Sequence, residues 1–307
     1  MDTNSLKKLL KSNYEGVDKQ FKRLFHGRGG LYEGLNFLTV DSIGDILSVG
    51  FYFDVDSKIE NEVLNIIKSF VKESNHKTIL LQRRYLDKST IDIIQGDIDD
   101  EVIAYENDLK FYLNLKSNLN SGYFGDMKLG REYIRSISKD KKVLNLFSYS
   151  CGFSLAALLG KAKSVVNFDM SKSALNLGRK NHHLNNLDTK KVKFYPHNIL
   201  KSFSRIKRDG LYDIVIIDPP TFQKGSFEAT KDYEKIIKRL DSFTQDGAIV
   251  LACLNSPTLD SNYLINLFKT YAPQFEFIEK LNNLKEYDAL TQERSLKNLV
   301  FKKRESL

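Results

Sequence analysis

The sequence has 307 residues, 41% of them hydrophobic and 28% charged, with a formal net charge of +8 and a pI near 9.1. That length favours two domains over one, and no apolar stretch approaches the roughly 18 residues a membrane helix needs. The opening MDTNSLKKLLKSNYEG lacks a secretory signal's long apolar run, and two cysteines, Cys151 and Cys253, are too few for a disulfide framework.

A reducing, cytoplasmic setting without membrane contact is therefore expected. Lys and Arg recur in 128–142 and 190–208 and in the C-terminal KKR, whereas 97–108 is acidic. A basic excess favours polyanions, because neutralised phosphates release counterions. A merely solvated lysine-rich surface is the plain alternative.

Residues 5–25 suggest a polar helix ending before HGRGG. FLTVDSIGDILSVGFYF reads as two strands around a turn at Ser42–Asp45, and Ile59, Val63, Ile66, Ile67 and Phe70 predict an amphipathic helix over 57–73. TILLQR, VIAY and LKFYLNL read as further strands, the last two joined through Glu106, Asn107 and Asp108. This part shows no run of parallel βα units. From about Lys141 strands and helices alternate: VLNLFS, a helix from Gly152, SVVNFD, a helix from Lys172 to Asn186, KVKFYP and YDIVIID. A helix over 228–244, AIVLACL, a helix over 259–270, FEFIE and LKNLVFK complete the pattern. The expectation is a small α+β domain, 1–122, followed by an α/β domain, 123–307, with a mostly parallel doubly wound sheet and an antiparallel last strand.

In such sheets ligands bind beyond the carboxyl ends of the strands. VLNLFSYSCGFSLAALLG is a strand, a tight loop and a helix start, and Gly152 is the single glycine at the turn, not the three that admit a dinucleotide pyrophosphate. A loop of small residues and exposed amides suits S-adenosylmethionine better than NAD. The next strand ends at Asp169, placed to accept from ribose hydroxyls, and KVKFYPHNIL ends at Asn198, whose amide could read adenine. Each has a plain alternative: a turn glycine, or an aspartate capping the helix at Ser171.

YDIVIIDPPTFQKGSF ends a buried strand in Asp218, and Pro219 and Pro220 stiffen the turn after it. Many nucleic-acid methyltransferases use a D/N-P-P-x-aromatic turn to present polar groups to a planar amine under an aromatic ring. Asp218, the Pro219 carbonyl and Phe222 would take those parts, stacking being worth about 1–3 kcal/mol per base. AIVLACLNSP puts Cys253 near the end of the next strand. A thiolate there could add to C6 of a pyrimidine and make C5 nucleophilic; alternatively Cys253 is core filler with a raised pKa. Cys151 reads as structural. His182 and His183 are adjacent in a helix, cannot pair at i, i+4, and are expected on the surface, so no metal site is expected.

These motifs resemble the class I methyltransferase family that includes large-subunit ribosomal RNA cytosine-C5 methyltransferases. The resemblance runs from about Phe25 to the end, through RLFHGRGG, GLNFLTVDSIGDILSV, SGYFGDMKLGREYI, VLNLFSYSCGFSLAAL, NFDMSKSALNLGRKNHHLN, IIDPPTFQKGSF and ERSLKNLVF. It implies a Rossmann-like class I methyltransferase domain, a small N-terminal domain that helps hold RNA, and S-adenosylmethionine as cofactor. It places Phe124, Asp126 and Arg131 near the cofactor and Phe147, Ser148 and Tyr149 at its methionine end. Gly152 falls in the cofactor loop, Asp169 on the ribose with Met170 and Ser171 beside it, and Asn198 and Ile199 near adenine. Asp218 would serve the sulfonium and the target base, with Cys253 at the nucleophile position. Asn198 stands where members carry Asp, and Cys253 is followed by Leu-Asn-Ser-Pro rather than serine and histidines. The segment before Phe25 is too short for the extra RNA-binding domain of the cytosine-C5 enzymes. Ribosomal RNA is the implied partner, and the family allows a homodimer that no periodicity here marks. A methyltransferase for a protein or small molecule, a non-catalytic RNA-binding relative and a nicotinamide enzyme are the competing readings.

Overall fold

Leu6 and Leu10, one helical turn apart, are fully buried and seat helix α1 (Thr3–Tyr14). The computed structural model describes residues 3–15, 19–86, 90–116, 120–220, 222–223 and 227–305, without the side chains of 3, 4, 222 and 223. The helix expected over 5–25 stops at Tyr14, and Lys22–His26 forms strand β1 instead. Glycine at 16 costs a helix about 1 kcal/mol against alanine, and Leu24 and Phe25 are buried in the strand that pairs with β2 (Leu38–Ile43).

The chain divides into two units, Met1–Gly125 with Leu284–Leu290, and Asp126–Asn283 with Thr291–Leu307. In the first, β2 and β3 (Ile46–Phe51) form an antiparallel hairpin. Asp56 caps α2 (Ser57–Val71) by accepting from the Lys58 amide at 2.7 Å, and α2 crosses over to β4 (Thr78–Arg83), which runs parallel to β3. Strand β5 (Thr90–Gln95) is antiparallel to β4 and was not foreseen; none of its side chains is buried, three are exposed and three half-buried, so it gives little apolar signal. This single βαβ crossover is the one parallel pairing in the five-stranded sheet, and no run of βα units occurs there. A second hairpin, β6 (Val102–Glu106) and β7 (Leu109–Leu113), turns at Asn107 with φ 52°.

HGRGG has a backbone role in this unit. A Cβ on Gly29 would lie 2.1 Å from the Asp288 carbonyl oxygen, and the Leu290 amide donates to the Gly29 carbonyl at 3.0 Å. Only glycine lets Leu284–Leu290 approach so closely. Tyr287 of this segment packs against His26 and lies under the Arg23 guanidinium, which is ion-paired with Asp41. Burial, with Arg23 and Arg28 nearby, lowers the His26 pKa to about 3, so its ring is neutral.

The second unit holds a seven-stranded sheet. Its strands are β8 (Lys142–Leu146), β9 (Ser164–Phe168), β10 (Val192–Tyr195), β11 (Tyr212–Ile217), β14 (Thr244–Leu254), β15 (Phe275–Lys280) and β16 (Lys297–Lys303). Its order is β10-β9-β8-β11-β14-β16-β15, with β16 antiparallel to both neighbours and the other pairs parallel. The expected doubly wound sheet with an antiparallel last strand is thus present. Two-residue strands β12 (Phe222–Gln223) and β13 (Phe227–Glu228) pair beyond β11. Helices α3 (Lys128–Ile137), α4 (Gly152–Leu159), α5 (Lys172–Leu184), α6 (Phe203–Asp209), α7 (Ala229–Ile237) and α8 (Ser261–Tyr271) connect the strands. The sequence reading missed α3 and the short α6, and ran α7 too far.

One apolar cluster, with Leu144, Leu146, Ile217, Tyr233 and Phe268, fills one side of the sheet. Another, with Ile134, Val143, Phe153, Ile216 and Cys253, fills the other. After α4, the Ala162 amide donates back to the Ala157 carbonyl at 3.0 Å, and Lys161 takes the left-handed conformation with φ 64°. Glycine is the usual residue there; a side chain costs ~1–2 kcal/mol. Among the described residues no helix is long and apolar enough to cross a membrane.

Candidate functional site

The strand order reverses between β8 and β11, so the carboxyl ends of these strands form the switch point. The loop after β8 is set by three non-glycine left-handed residues, Phe147 (φ 58°), Tyr149 (φ 46°) and Cys151 (φ 65°). Such residues persist only where surroundings over-determine them. Here the Ser148 amide donates to the Phe168 carbonyl at 3.0 Å, and the Cys151 amide to the Ser148 carbonyl at 2.7 Å. The Tyr149 amide donates to Asp169 Oδ2 at 2.8 Å. Those three amides are consumed, one within the loop and two at the end of β9, and cannot cradle a pyrophosphate. The geometry therefore disfavours a dinucleotide on grounds independent of the missing glycines.

Asp169 also accepts from the Ser171 amide at 2.8 Å, and the Ser171 side chain caps α5 by accepting from the Ala174 amide at 3.1 Å. The helix cap is therefore Ser171 and not the aspartate, which holds the cap residue's own amide without exhausting its acceptors, since a carboxylate can take about four hydrogen bonds. Burial raises its pKa, while the Ser171 and Tyr149 amides oppose that rise. A half-buried acceptor at a strand end fits a vicinal diol. Met170 beside it is exposed. Asn198 Oδ1 accepts from the Lys201 amide at 3.3 Å and caps a short 3-10 turn in which Ile199 is buried. Gly152 is the first residue of α4, and Ser148 is buried.

The loop is held from below. Cys151 is fully buried, burial pushes its thiol far up, and it is a structural residue as expected. A Cβ on Gly178 of α5 would lie 2.5 Å from Cys151 Sγ and 3.0 Å from its Cβ. Gly178→Ala should therefore lower stability by about 1–3 kcal/mol in urea unfolding, with part recovered in Gly178→Ala/Cys151→Ala. Equal stability of wild type and the single variant would show that the contact yields freely.

His182 corrects the sequence reading. It is fully buried rather than at the surface, and its Nε2 meets Ser154 Oγ at 2.9 Å while its Nδ1 meets the Gly178 carbonyl at 2.7 Å. Burial lowers its pKa to about 4. Asn167 Nδ2 donates to Ser154 at 3.1 Å, and Asn145 Nδ2 donates to Asn167 Oδ1 at 2.9 Å, so a neutral polar chain ties α5 to β8 and β9. His183 is exposed, and no group of metal ligands occurs among the described residues.

At the end of β11, Asp218 is half-buried and Pro219 buried. Burial first, then the charge of Asp126, pushes the Asp218 pKa up to about 7, with Arg131 opposing. Asp126 and the buried Arg131, at and within the start of α3, thus lie in the electrostatic neighbourhood of this strand end. Phe124 belongs to the other unit and is 43% exposed. The backbone of Phe222 pairs with Glu228, but its ring, given a stacking part above, lies outside the described side chains.

Cys253, on β14 next to β11, is 1% exposed within the apolar cluster under α3 and α4. Burial, then Asp218 and Asp126, push its thiol well above the ordinary range. Its cross-strand partner Asn298 is also buried, and Asn298 Oδ1 has no hydrogen-bond partner among the described residues.

Three side chains absent from the sequence reading fix these ends. The Tyr233 hydroxyl on α7 lies 3.1 Å from both the Ile217 and Cys253 carbonyl oxygens, bracketing the two strands where their ladder ends. Phe227 packs edge-on to Phe147 at 4.8 Å and to Tyr233 at 6.3 Å, joining the β8 loop to that bracket. Buried Lys297 donates to the carbonyls of Ser256 and Glu293 at 2.7 Å and Ser295 at 2.9 Å, fixing the segment after Cys253. Desolvation lowers its pKa to about 8. A tyrosine in the charged helix ATKDYEKII, a phenylalanine before it and a strand lysine gave no hint of these roles.

A family model described as S-adenosylmethionine-dependent methyltransferase matches residues 22–302. Ribosomal RNA large subunit methyltransferase I of Aeromonas salmonicida is 28% identical over 71% of this chain and 57% of its own length. Ribosomal RNA large subunit methyltransferase K/L of Shewanella loihica is 37% identical over 49% of this chain and 22% of its own. The chain thus spans little more than half of the first relative and less of the second. Among solved structures, SMU.776 complexed with SAH superposes with TM-score 0.88 at 22% identity, covering 98% of this chain and 82% of that one. The M. jannaschii tRNA m1G37 methyltransferase superposes with TM-score 0.65 at 18% identity, covering 98% and 79%. At such identities the superpositions carry the fold alone. The match over 22–302 carries more, and by it the chain belongs to the S-adenosylmethionine-dependent methyltransferase family.

Proposed function

We propose that this protein methylates a base of large-subunit ribosomal RNA, with S-adenosylmethionine as the donor of an activated methyl group. The observation that supports the reading is a common edge: the Phe147–Cys151 loop, Asp169, Asp218-Pro219 and Cys253 stand at the carboxyl ends of β8, β9, β11 and β14. The names of the relatives point to the same substrate class.

Asp169 would hold the ribose hydroxyls, with Met170 and Ser171 beside it and Asn198 and Ile199 toward adenine. Phe147, Ser148, Tyr149 and Gly152 would line the methionine end, with Phe124, Asp126 and Arg131 nearby. Asp218 and the Pro219 carbonyl would orient the target base, with Phe222 stacked on it. A base taken from a duplex must be unstacked at a cost of a few kcal/mol. Fixing donor and acceptor in line supplies much of the rate advantage.

The acceptor atom turns on Cys253. Its place at the end of β14 supports addition to a cytosine and transfer to C5; its burial favours the second reading, a ring or exocyclic nitrogen that needs no thiol. Labelled S-adenosylmethionine with ribosomal RNA from cells lacking the gene, followed by nucleoside mass spectrometry, tests both. Label in a large-subunit base is expected. Label in protein alone, or none, overturns the substrate.

The sequence reading also gives 1–122 a share in holding RNA, but the first unit has 17 basic against 21 acidic side chains, so attraction of phosphate falls to the second. Cytoplasmic action follows from the substrate. A homodimer is the assembly the resemblance allows, and light scattering after size-exclusion chromatography decides it.

Tyr233→Phe tests the bracket. Losing the shared donor should lower kcat about tenfold and stability by about 1–3 kcal/mol, with S-adenosylmethionine affinity unchanged. Loss of stability with full kcat would make the hydroxyl structural only.

A further inference from the structure

The net charge of +8 is unevenly placed. The first unit is at −4 and the second, with 30 basic against 18 acidic side chains, at +12. Genome-wide lysine enrichment would act on both units alike. Within the second unit, residues 128–208 alone carry 18 basic against 4 acidic side chains.

Nine of those cations share one edge of the sheet. The loops entering the parallel strands carry Lys139, Lys141 and Lys142 before β8, Lys161 and Lys163 before β9, Lys190 and Lys191 before β10, and Lys207 and Arg208 before β11. All are exposed except the half-buried Lys142. The loops are hydrogen-bonded side by side: the Lys163 amide donates to the Lys141 carbonyl at 2.8 Å, and the Asp140 amide to the Lys161 carbonyl at 3.0 Å. The registers Lys142↔Ser164 and Val165↔Val192 continue the row at the strand spacing of about 4.8 Å.

Helix C-termini explain part of this. Four helices, α3 to α6, end at this edge, each equivalent to about half a negative charge. That calls for about two cations, not nine. Among the described residues only Lys141 of the nine has an ion-pair partner, Asp213. Lys161 moreover keeps its side chain at a left-handed position where glycine would be relaxed.

We infer that this rim binds the sugar-phosphate backbone of the RNA substrate, at a segment apart from the target base. The inference rests on the ribosomal RNA reading above. A row of exposed cations without interleaved aromatic rings reads phosphate and not sequence. The rim lies at the amino ends of the strands and Asp169, Asp218 and Cys253 at the carboxyl ends, about 16 Å away for a five-residue strand. The rim therefore holds while the far edge reacts.

The test compares wild type with Lys161→Gln/Lys163→Gln/Lys190→Gln/Lys191→Gln and the matching Glu set. Filter binding to deproteinised large-subunit ribosomal RNA is measured from about 50 to 300 mM KCl. Removing four phosphate contacts should lower the slope of log K against log salt by about 3 and weaken binding at least about tenfold at 150 mM, more so for Glu. S-adenosylmethionine affinity should stay at the wild-type value, showing that the variants are folded. Unchanged slope and affinity, with wild type still binding and methylating the RNA, overturns the rim alone. Wild type that neither binds nor methylates RNA overturns the substrate reading with it. Charge-dependent binding to anionic lipid vesicles in place of RNA would assign the rim to a membrane surface and overturn it as well.

Discussion

Asp218→Asn should slow methyl transfer by about 10²–10³-fold while making the folded protein more stable at pH 8. The two effects share one cause. Asp218 ends β11 half-buried, and desolvation together with Asp126 raises its pKa from 3.8 to about 7. Between those values the folded state binds a proton that the unfolded chain releases. The stability contributed by this group is fully present below pH 3.8 and is lost as pH rises through about 7. The displacement sets a ceiling near 4 kcal/mol; because the side chain keeps some contact with water, about 1–2 kcal/mol is expected. Asparagine copies the neutral form, so thermal unfolding should give curves that coincide near pH 4 and separate toward pH 8, with the variant higher. Parallel curves would mean that the folded carboxyl is not desolvated. The rate loss comes from removing the carboxyl that orients the target base at the reacting edge, where such preorganised groups are worth about 10²–10³. An unimpaired Asp218→Asn would place the acceptor base elsewhere.

Legibility in the sequence depended on how each feature is encoded. The βα alternation from Lys141 onward, with β11 running apolar into Asp218-Pro219-Pro220, was legible because buried parallel strands are near-continuous apolar runs. Asp169 and the loop after β8 were legible for the same reason: each sits where an apolar run stops. Strand β5 was hidden because its exposure leaves no alternation to read. Helix α1 was overdrawn because periodicity alone does not mark where strand pairing begins to win. The return of Leu284–Leu290 to the first unit has no local signature; its partner is the pair of glycines in HGRGG, some 260 residues earlier. His182 looked like a surface residue because its helix face is polar, yet Ser154 and the Gly178 carbonyl satisfy both ring nitrogens inside the core. Tyr233 and Lys297 were invisible for a related reason. Each acts on backbone carbonyls, and carbonyls carry no residue identity.

Cys253→Ala should abolish methyl transfer, by more than about 10³-fold, with S-adenosylmethionine affinity unchanged. In the covalent route the Cys253 thiol gives its proton to a base as its sulfur bonds to C6 of the cytosine, and C5 takes the methyl group as the donor's sulfur–methyl bond breaks to leave a neutral thioether. C5 then loses its proton to a base, and the carbon–sulfur bond breaks to release the thiolate as the ring double bond returns. Every atom is accounted for, and nothing replaces the sulfur. The structure sets the difficulty of the first step. Burial is the first cause of the raised thiol pKa, and the charges of Asp218 and Asp126 come after it. The Asp218 contribution disappears when that carboxyl is protonated, which its pKa of about 7 allows near neutrality. A base seated between the two strand ends would complete the relief by supplying the sulfur with a bond. Stability cannot separate this from the core-filler reading, since either way the variant loses one buried sulfur, about 1 kcal/mol. The labelled nucleoside can. 5-Methylcytidine from wild type and none from the variant assigns Cys253 as nucleophile. A label that survives, or that sits on a nitrogen, returns the cysteine to the cluster it shares with Phe153, Ile216 and Val300, and leaves Asp218 and Pro219 as the acceptor side of the site.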